Sequence, residues 1–153
     1  MFESAEIGHK IDKNSYKVEE PVLREALLDI QYELKEYGKF PVIILINGVD
    51  GAGKGETVNL LNEWMDPRLI STQAFGKCSD EERERPRMWR YWRALPANGR
   101  IGILFGSWYS DPIIGRVTGD FKTSELDHQI DAIVRFEKML AHDGVVLLKF
   151  WFH

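Results

Sequence analysis

The sequence predicts an α/β fold, with a central parallel sheet and helices on both faces. Three observations carry that prediction. Val42–Ile46 is a short β-branched apolar run without alternation, the pattern of a strand buried on both sides. Apolar residues at helical spacing separate this run from further strand candidates, so the chain alternates as β-α-β units do. A glycine-rich turn, Gly48–Gly55, joins the first strand to the next helix.

The elements follow in order. Residues 1–17 show no period and read as an arm. Residues 19–37 carry Leu23, Leu27, Ile30, Leu34 and Tyr37 at helical spacing, with Pro21 near the start and Gly38 as a stop. After the glycine turn, Val58, Leu61, Trp64 and Met65 mark the inner face of a helix that ends at Asp66-Pro67. Leu69–Phe75 reads as a second strand. Ser79–Arg93 reads as a charged helical stretch opened by a capping box, Ser79 with Glu82, and interrupted at Pro86. Ile101–Phe105 is a third strand, and Asp111-Pro112 reads as a turn. Ser124–Ala141 is a helix capped by Ser124 and ended by Gly144, with Ile130, Val134, Met139 and Leu140 inward. Val145–Phe152 is a fourth strand expected at the centre of the sheet. A central strand at the last residues implies a truncated sheet, and hence a piece of a longer protein.

With 153 residues the chain has the length of one domain, taken as residues 1–153. It is 44% apolar and 29% charged, an ordinary balance for a folded soluble domain. No apolar run is long enough to span a bilayer, and Met1–Lys17 lacks a signal-peptide core. The lone Cys78 suits a reducing compartment, so a cytoplasmic location is expected. A net charge of −4 argues against nucleic acid or an anionic membrane as partner. One local exception is the arginine-rich stretch between Arg83 and Arg100.

The loop residues Gly48, Asp50, Gly51, Ala52, Gly53, Lys54 and Gly55 are suited to hold a phosphate chain. Small residues let the backbone wrap an anion, and successive N–H groups and the helix N-terminus point at it. Lys54 then reaches the outer phosphates as a point charge. Glu56 and Thr57 complete the candidate loop. Gly55 stands where a hydroxyl residue commonly binds Mg²⁺. Asp50 reads either as a Mg²⁺ ligand or base beside the transferred group, or as a turn residue.

Several landmarks resemble the polyphosphate kinase type 2 family, from about Phe40 to Phe152. They are the loop with Gly48, Asp50 and Lys54-Gly55, then Asp66-Pro67-Arg68, Ser79-Asp80, Arg90-Tyr91-Trp92, Leu95-Pro96, Ser107-Trp108-Tyr109, Phe136–Leu140, Asp143-Gly144 and Leu147–Trp151. The resemblance implies a P-loop kinase-like three-layer fold and phosphoryl transfer from inorganic polyphosphate to a nucleotide. It also implies Mg²⁺ as cofactor, Asp50 and Lys54 as catalytic residues with Asp50 on the metal, and Arg87, Arg90 and Arg93 guiding polyphosphate from a helical lid. AMP is the expected acceptor, giving ADP, because the family includes tandem two-domain members with that activity. This chain resembles their N-terminal copy, so a homo-oligomer or a second domain is the expected assembly.

The chain departs from the family beside Ser107-Trp108-Tyr109. Active members carry Asp-Arg before this tripeptide and Asn-Arg after it, whereas this chain has Phe105-Gly106 and Ser110-Asp111. Losing a metal carboxylate and nearby cations weakens charge neutralisation in the transition state. Glu56 also replaces a family glycine. Two further readings therefore stay open: a non-catalytic phosphate-binding or assembly module, and an ATP-dependent nucleotide kinase. The arginines read either as a polyanion-binding lid or as a solvated helix face among Glu81, Glu82 and Glu84. Trp64, Trp108 and Trp151 are expected in the core, and His9, His128, His142 and His153 on the surface. Lys149 reads either as a phosphate neighbour or as a structural lysine.

Overall fold

The computed structural model describes residues 10–153. Residues 1–9 of the arm assigned to residues 1–17 lie outside these residues, as does His9, while Lys13–Lys17 are helical rather than an arm. Ten elements follow: α1 (Lys13–Tyr37), β1 (Val42–Gly48), α2 (Lys54–Trp64), β2 (Ile70–Ala74), α3 (Asp80–Arg83), α4 (Trp89–Trp92), β3 (Ile101–Phe105), α5 (Ser110–Thr118), α6 (Thr123–His142) and β4 (Val146–Phe152). The four strands are parallel, in the order β2-β3-β1-β4.

Each face of the sheet buries one apolar cluster. Ile44, Ile46, Ile101 and Ile103 pack against Leu34 of α1 and Val58 of α2, with Met65 beyond its end. On the opposite face Ile43, Leu45 and Leu104 meet Tyr91, Trp108 and the α6 residues Ile133, Phe136 and Leu140. Alternate residues of one strand thus serve two cores, as an unalternating apolar run requires. The result is the three-layer α/β arrangement the sequence predicts.

Helix α1 begins at Lys13 rather than Glu19, because Asp12 caps it by accepting from the Asn14 and Ser15 amides at 2.9 and 3.1 Å. Pro21 therefore lies inside the helix, on exposed backbone where water can serve the carbonyl it leaves unpaired. The inward residues are Leu27, Gln31 and Leu34, while Leu23, Ile30 and Tyr37 are exposed. Gln31 turns the helix this way. Its Nε2 donates to the Asp66 carbonyl at 3.0 Å, and its Oε1 accepts from the Asp66 amide at 2.7 Å. A polar residue thus takes a core position that apolar periodicity would not assign.

Other expectations need correction. Asp111-Pro112 lies in the first turn of α5, where proline lacks only an N–H that would be unpaired anyway. Helix α6 starts at Thr123 with Lys122 in the capping position and no side-chain cap, so Ser124 does not cap it. Its inward face is Ile133, Phe136 and Leu140, with Val134 and Met139 exposed. Strand β4 occupies an edge of this sheet, and Leu148, Phe150 and Trp151 are exposed on it. The Ser79–Glu82 capping box is present, and Pro86 separates the short helices α3 and α4.

Candidate phosphate-binding site

Parallel strands bring the carboxyl ends of β1, β3 and β4 to one rim, with Ile46 opposite both Phe105 and Phe150 and Gly48 opposite Phe152. Such rims are where α/β sheets place ligands. A cleft of about 670 Å³ opens there. Its walls differ in kind. Gly48, Val49, Asp50 and Lys54 form one side, and Phe75, Phe105, Ile113, Ile114, Val117 and Trp151 make the other largely apolar.

Glycine geometry explains the loop. Gly48, Gly51 and Gly53 have φ of 140°, 82° and 87°, a region that side chains with Cβ avoid. At Gly48 a Cβ would also sit 2.0 Å from the Phe152 carbonyl oxygen. Gly53 caps α2, so the chain passes from a left-handed turn directly into the helix N-terminus. Lys54 Nζ folds over the loop, donating to the carbonyls of Gly48 at 2.6 Å and Val49 at 2.8 Å and reaching Asp50 Oδ1 at 3.3 Å. Thr57 Oγ1 donates back to the Gly53 carbonyl at 3.0 Å, while Glu56 is exposed. Ala52 and Gly55 are half-buried along the same turn.

Asp50 is the carboxylate at this rim, and its side chain is fully exposed. Among the described residues no three His, Cys, Asp or Glu side chains gather as a metal cage. A Mg²⁺ ion nonetheless fits one carboxylate here, because such ions take their remaining ligands from phosphate oxygens and water. Asp50 would be its protein ligand. Phe105 lines the cleft at the end of β3, and Gly106 follows at φ 76° with space for a Cβ limited by the Phe75 carbonyl oxygen at 2.9 Å.

The three arginines expected to meet polyphosphate, Arg87, Arg90 and Arg93, have different surroundings in the structure. Arg90 is buried: its guanidinium pairs with Glu82 at 3.3 Å, donates to Cys78 Sγ at 3.0 Å and to the Gly76 carbonyl at 3.1 Å, and stacks on Phe75. Arg87 donates to the Trp108 carbonyl at 3.3 Å, and burial lowers its pKa. Arg93 is exposed and stacks over Trp89 at 4.7 Å. Arg90 and Arg93 share a small polar hollow with Gln73 and Glu82, apart from the loop.

Sequence reasoning missed a second group. Asn47 Oδ1, at the end of β1, accepts from Ser107 Oγ at 3.1 Å and Ser110 Oγ at 3.4 Å. Behind them Glu137 Oε1 accepts from Trp108 Nε1 at 3.0 Å and Tyr109 OH at 2.8 Å. Lys149, half-exposed, pairs with Glu137 Oε2 at 2.7 Å. Burial works against that ammonium, yet the hydrogen bonds with Glu137 and Tyr109 raise its pKa overall. The available signal was a carboxylate, Glu137, set between the inward Phe136 and Leu140. Trp108 is fully buried as expected, Trp64 only partly so, and Trp151 stands exposed at the cleft. The described histidines, His128, His142 and His153, are at the surface. No helix among the described residues is long and apolar enough to cross a membrane.

Comparison with known proteins agrees with this architecture. The chain is 62% identical over its full length to a polyphosphate:AMP phosphotransferase of Pseudomonas aeruginosa, of which it covers 31%. It is 35% identical over 133 residues to the ADP-polyphosphate phosphotransferase 2 of Rhizobium meliloti, covering 83% of this chain and 44% of that protein. A Pseudomonas aeruginosa crystal structure described as a polyphosphate kinase 2 superposes over the whole chain with a TM-score of 0.96 at 62% identity, matching 33% of that chain. The polyphosphate kinase 2 of Arthrobacter aurescens covers 96% of this chain and 53% of its own, with a TM-score of 0.89 at 28% identity. This chain thus spans about a third of the length of the two Pseudomonas aeruginosa proteins it matches. The model of the polyphosphate kinase 2 family matches residues 10–153, and the chain belongs to that family.

Proposed function

We propose that this chain is the phosphate-gripping domain of a polyphosphate-dependent nucleotide phosphotransferase, with AMP as acceptor and ADP as product. The observation that carries the reading is the left-handed glycine turn Gly48–Gly53 running into the N-terminus of α2 beneath Lys54. The names of the relatives, a polyphosphate:AMP phosphotransferase among them, support the choice of donor and acceptor. In the reaction an AMP phosphate oxygen bonds to the terminal phosphorus of the chain, and the adjacent P–O–P bridge breaks, shortening polyphosphate by one unit.

The residues divide the work by geometry. Lys54 exchanges its loop carbonyls for phosphate oxygens, and the loop amides with the α2 N-terminus hold the anion. Asp50 would hold Mg²⁺, which neutralises charge on the group being moved. Arg93, exposed beside Trp89, is the lid arginine free to meet a passing phosphate chain, with Arg87 and Arg90 anchoring the lid behind it. A cytoplasmic setting and a second domain or further copies complete the proposal.

A second reading has its own support. Phe105 and the left-handed Gly106 place no carboxylate or arginine against the loop, which favours a binding or assembly module without catalysis. One assay separates the two: ADP formation from AMP, polyphosphate and Mg²⁺ by this chain and by Lys54→Ala. Activity that disappears in the variant supports the enzyme. Inactivity of both, with phosphate bound by the parent chain alone, supports the module. Equal binding of tripolyphosphate by the two chains overturns both readings.

A further inference from the structure

We propose that Glu137 is a positioning residue for the phosphate site, acting through the Ser107–Ser110 turn on Asn47 and the loop that begins at Gly48. The proposal rests on the reading of that loop as the phosphate site. Glu137 lies on α6, behind the cleft wall, and none of its bonds reaches the loop itself.

Its carboxylate is largely enclosed, with 14% of the side chain exposed, and an enclosed carboxylate needs charged or hydrogen-bonding partners. It has three. Two come from consecutive residues of the turn, the Trp108 indole N–H and the Tyr109 hydroxyl, and the third is the Lys149 ammonium of β4. Tyr109 OH also accepts from Lys149 Nζ at 3.2 Å, closing a ring of bonds between α6, β4 and the turn. Charge-assisted bonds of this kind are the strong ones, and networks stiffen the segments they join.

The turn's remaining polar groups are tied as well. Tyr91 OH donates to the Ser107 carbonyl at 3.1 Å, Arg87 to the Trp108 carbonyl, and the Ser107 amide to Ser110 Oγ at 3.0 Å. Toward β1 the turn directs two hydroxyls, those of the buried Ser107 and of Ser110 at the cleft, both at Asn47 Oδ1. Asn47 directly precedes Gly48, and the Gly106 amide donates to Ile46 at 3.1 Å. A shift of the turn therefore moves the last residues of β1, and with them the loop carbonyls that hold Lys54. The apolar packing of Ile133, Phe136 and Leu140 already fixes α6 on the sheet, so the carboxylate serves the turn rather than the docking of the helix.

The test compares this chain with Glu137→Gln and with the double variant Glu137→Gln/Lys149→Met. Glutamine keeps the shape but leaves an ammonium without its anion, and methionine removes that ammonium. Amide exchange in Glu137→Gln should quicken about tenfold at residues 106–110 and also at 47–50, with α1 and β2 unchanged. Tripolyphosphate should bind about three- to tenfold more weakly, and the double variant should recover much of both losses. Tyr109→Phe, which keeps the ring and removes the two bonds of its hydroxyl, is read the same way if Glu137→Gln does not fold. Unchanged exchange at 47–50, or a uniform rise that follows the melting temperature, overturns the proposal. The exchange result stands apart from the loop reading, which fails separately if Lys54→Ala binds tripolyphosphate like the parent chain.

Discussion

The two sides of the cleft were built by different means. On the loop side the backbone does the work: glycines at positive φ, a helix N-terminus and one lysine folded over carbonyls. On the opposite side the wall is made of side chains, Phe105, Ile113, Ile114 and Val117, with no charge among them. Binding a polyanion needs chiefly the first. Moving a phosphoryl group needs charge from the second as well, since the transition state spreads negative charge over oxygens on both sides. In this chain the first side is well formed, and the second carries no charged side chain among the residues that line it.

The comparison can be broken most severely at Gly48. Gly48→Ala adds a Cβ to left-handed backbone against the Phe152 carbonyl, and should cost about 1 to 3 kcal/mol, read as a fall in melting temperature of several degrees. Lys54→Ala removes the charge of the loop side; tripolyphosphate affinity measured by calorimetry should drop about tenfold or more. On the other wall Phe105→Asp should sharpen the contrast. It places a carboxylate near Asp50, so Mg²⁺ should strengthen tripolyphosphate binding by a few-fold more than in the parent chain. Equal Mg²⁺ dependence in the two proteins would show that this wall does not face the metal. Arg93→Ala should weaken long polyphosphate about two- to threefold and leave tripolyphosphate unaffected, because an exposed arginine meets only the part of the chain beyond the loop.

A control lies away from the cleft, where α1 meets the end of α2. The Asp66 carboxylate accepts hydrogen bonds from Arg68 and from Tyr32 OH, and these hold its pKa well below the usual carboxylate range. A lowered folded-state pKa gives stability that is present above the unfolded value, near about 4, and is lost as pH falls through the folded value. Asp66→Asn should therefore melt below the parent chain by a constant gap from neutral pH down to about 5, with the gap closing in stronger acid. Tripolyphosphate binding should not change at neutral pH.

How much could be read from the chain varies with the distance over which the information acts. Local signals held: the glycine loop, the Ser79–Glu82 capping box, the limits of β3 and the stop at Gly144 each depend on a few consecutive residues. The inward faces of α1 and α6 were read in part: Leu27, Leu34, Ile130 and Leu140 do face the core, while Leu23, Ile30, Tyr37, Val134 and Met139 are exposed. Buried Gln31 and Glu137 take part in those faces, and an apolar pattern carries no record of their partners Asp66, Trp108 and Lys149. Arg90 shows the same limit, because a charge counted for the lid is spent on Glu82, Cys78 and the Gly76 carbonyl.

By itself the sequence determined the α/β alternation, the glycine-rich turn into a helix and the absence of charge at Phe105-Gly106, since each is written in neighbouring residues. The tertiary structure alone decided which strand lies at the edge, which arginine stays free, and that Glu137, Asn47 and the Ser107–Ser110 turn form one network behind the cleft. Those contacts join residues far apart in the chain, and they exist only after parallel pairing has carried the strand ends to a common rim.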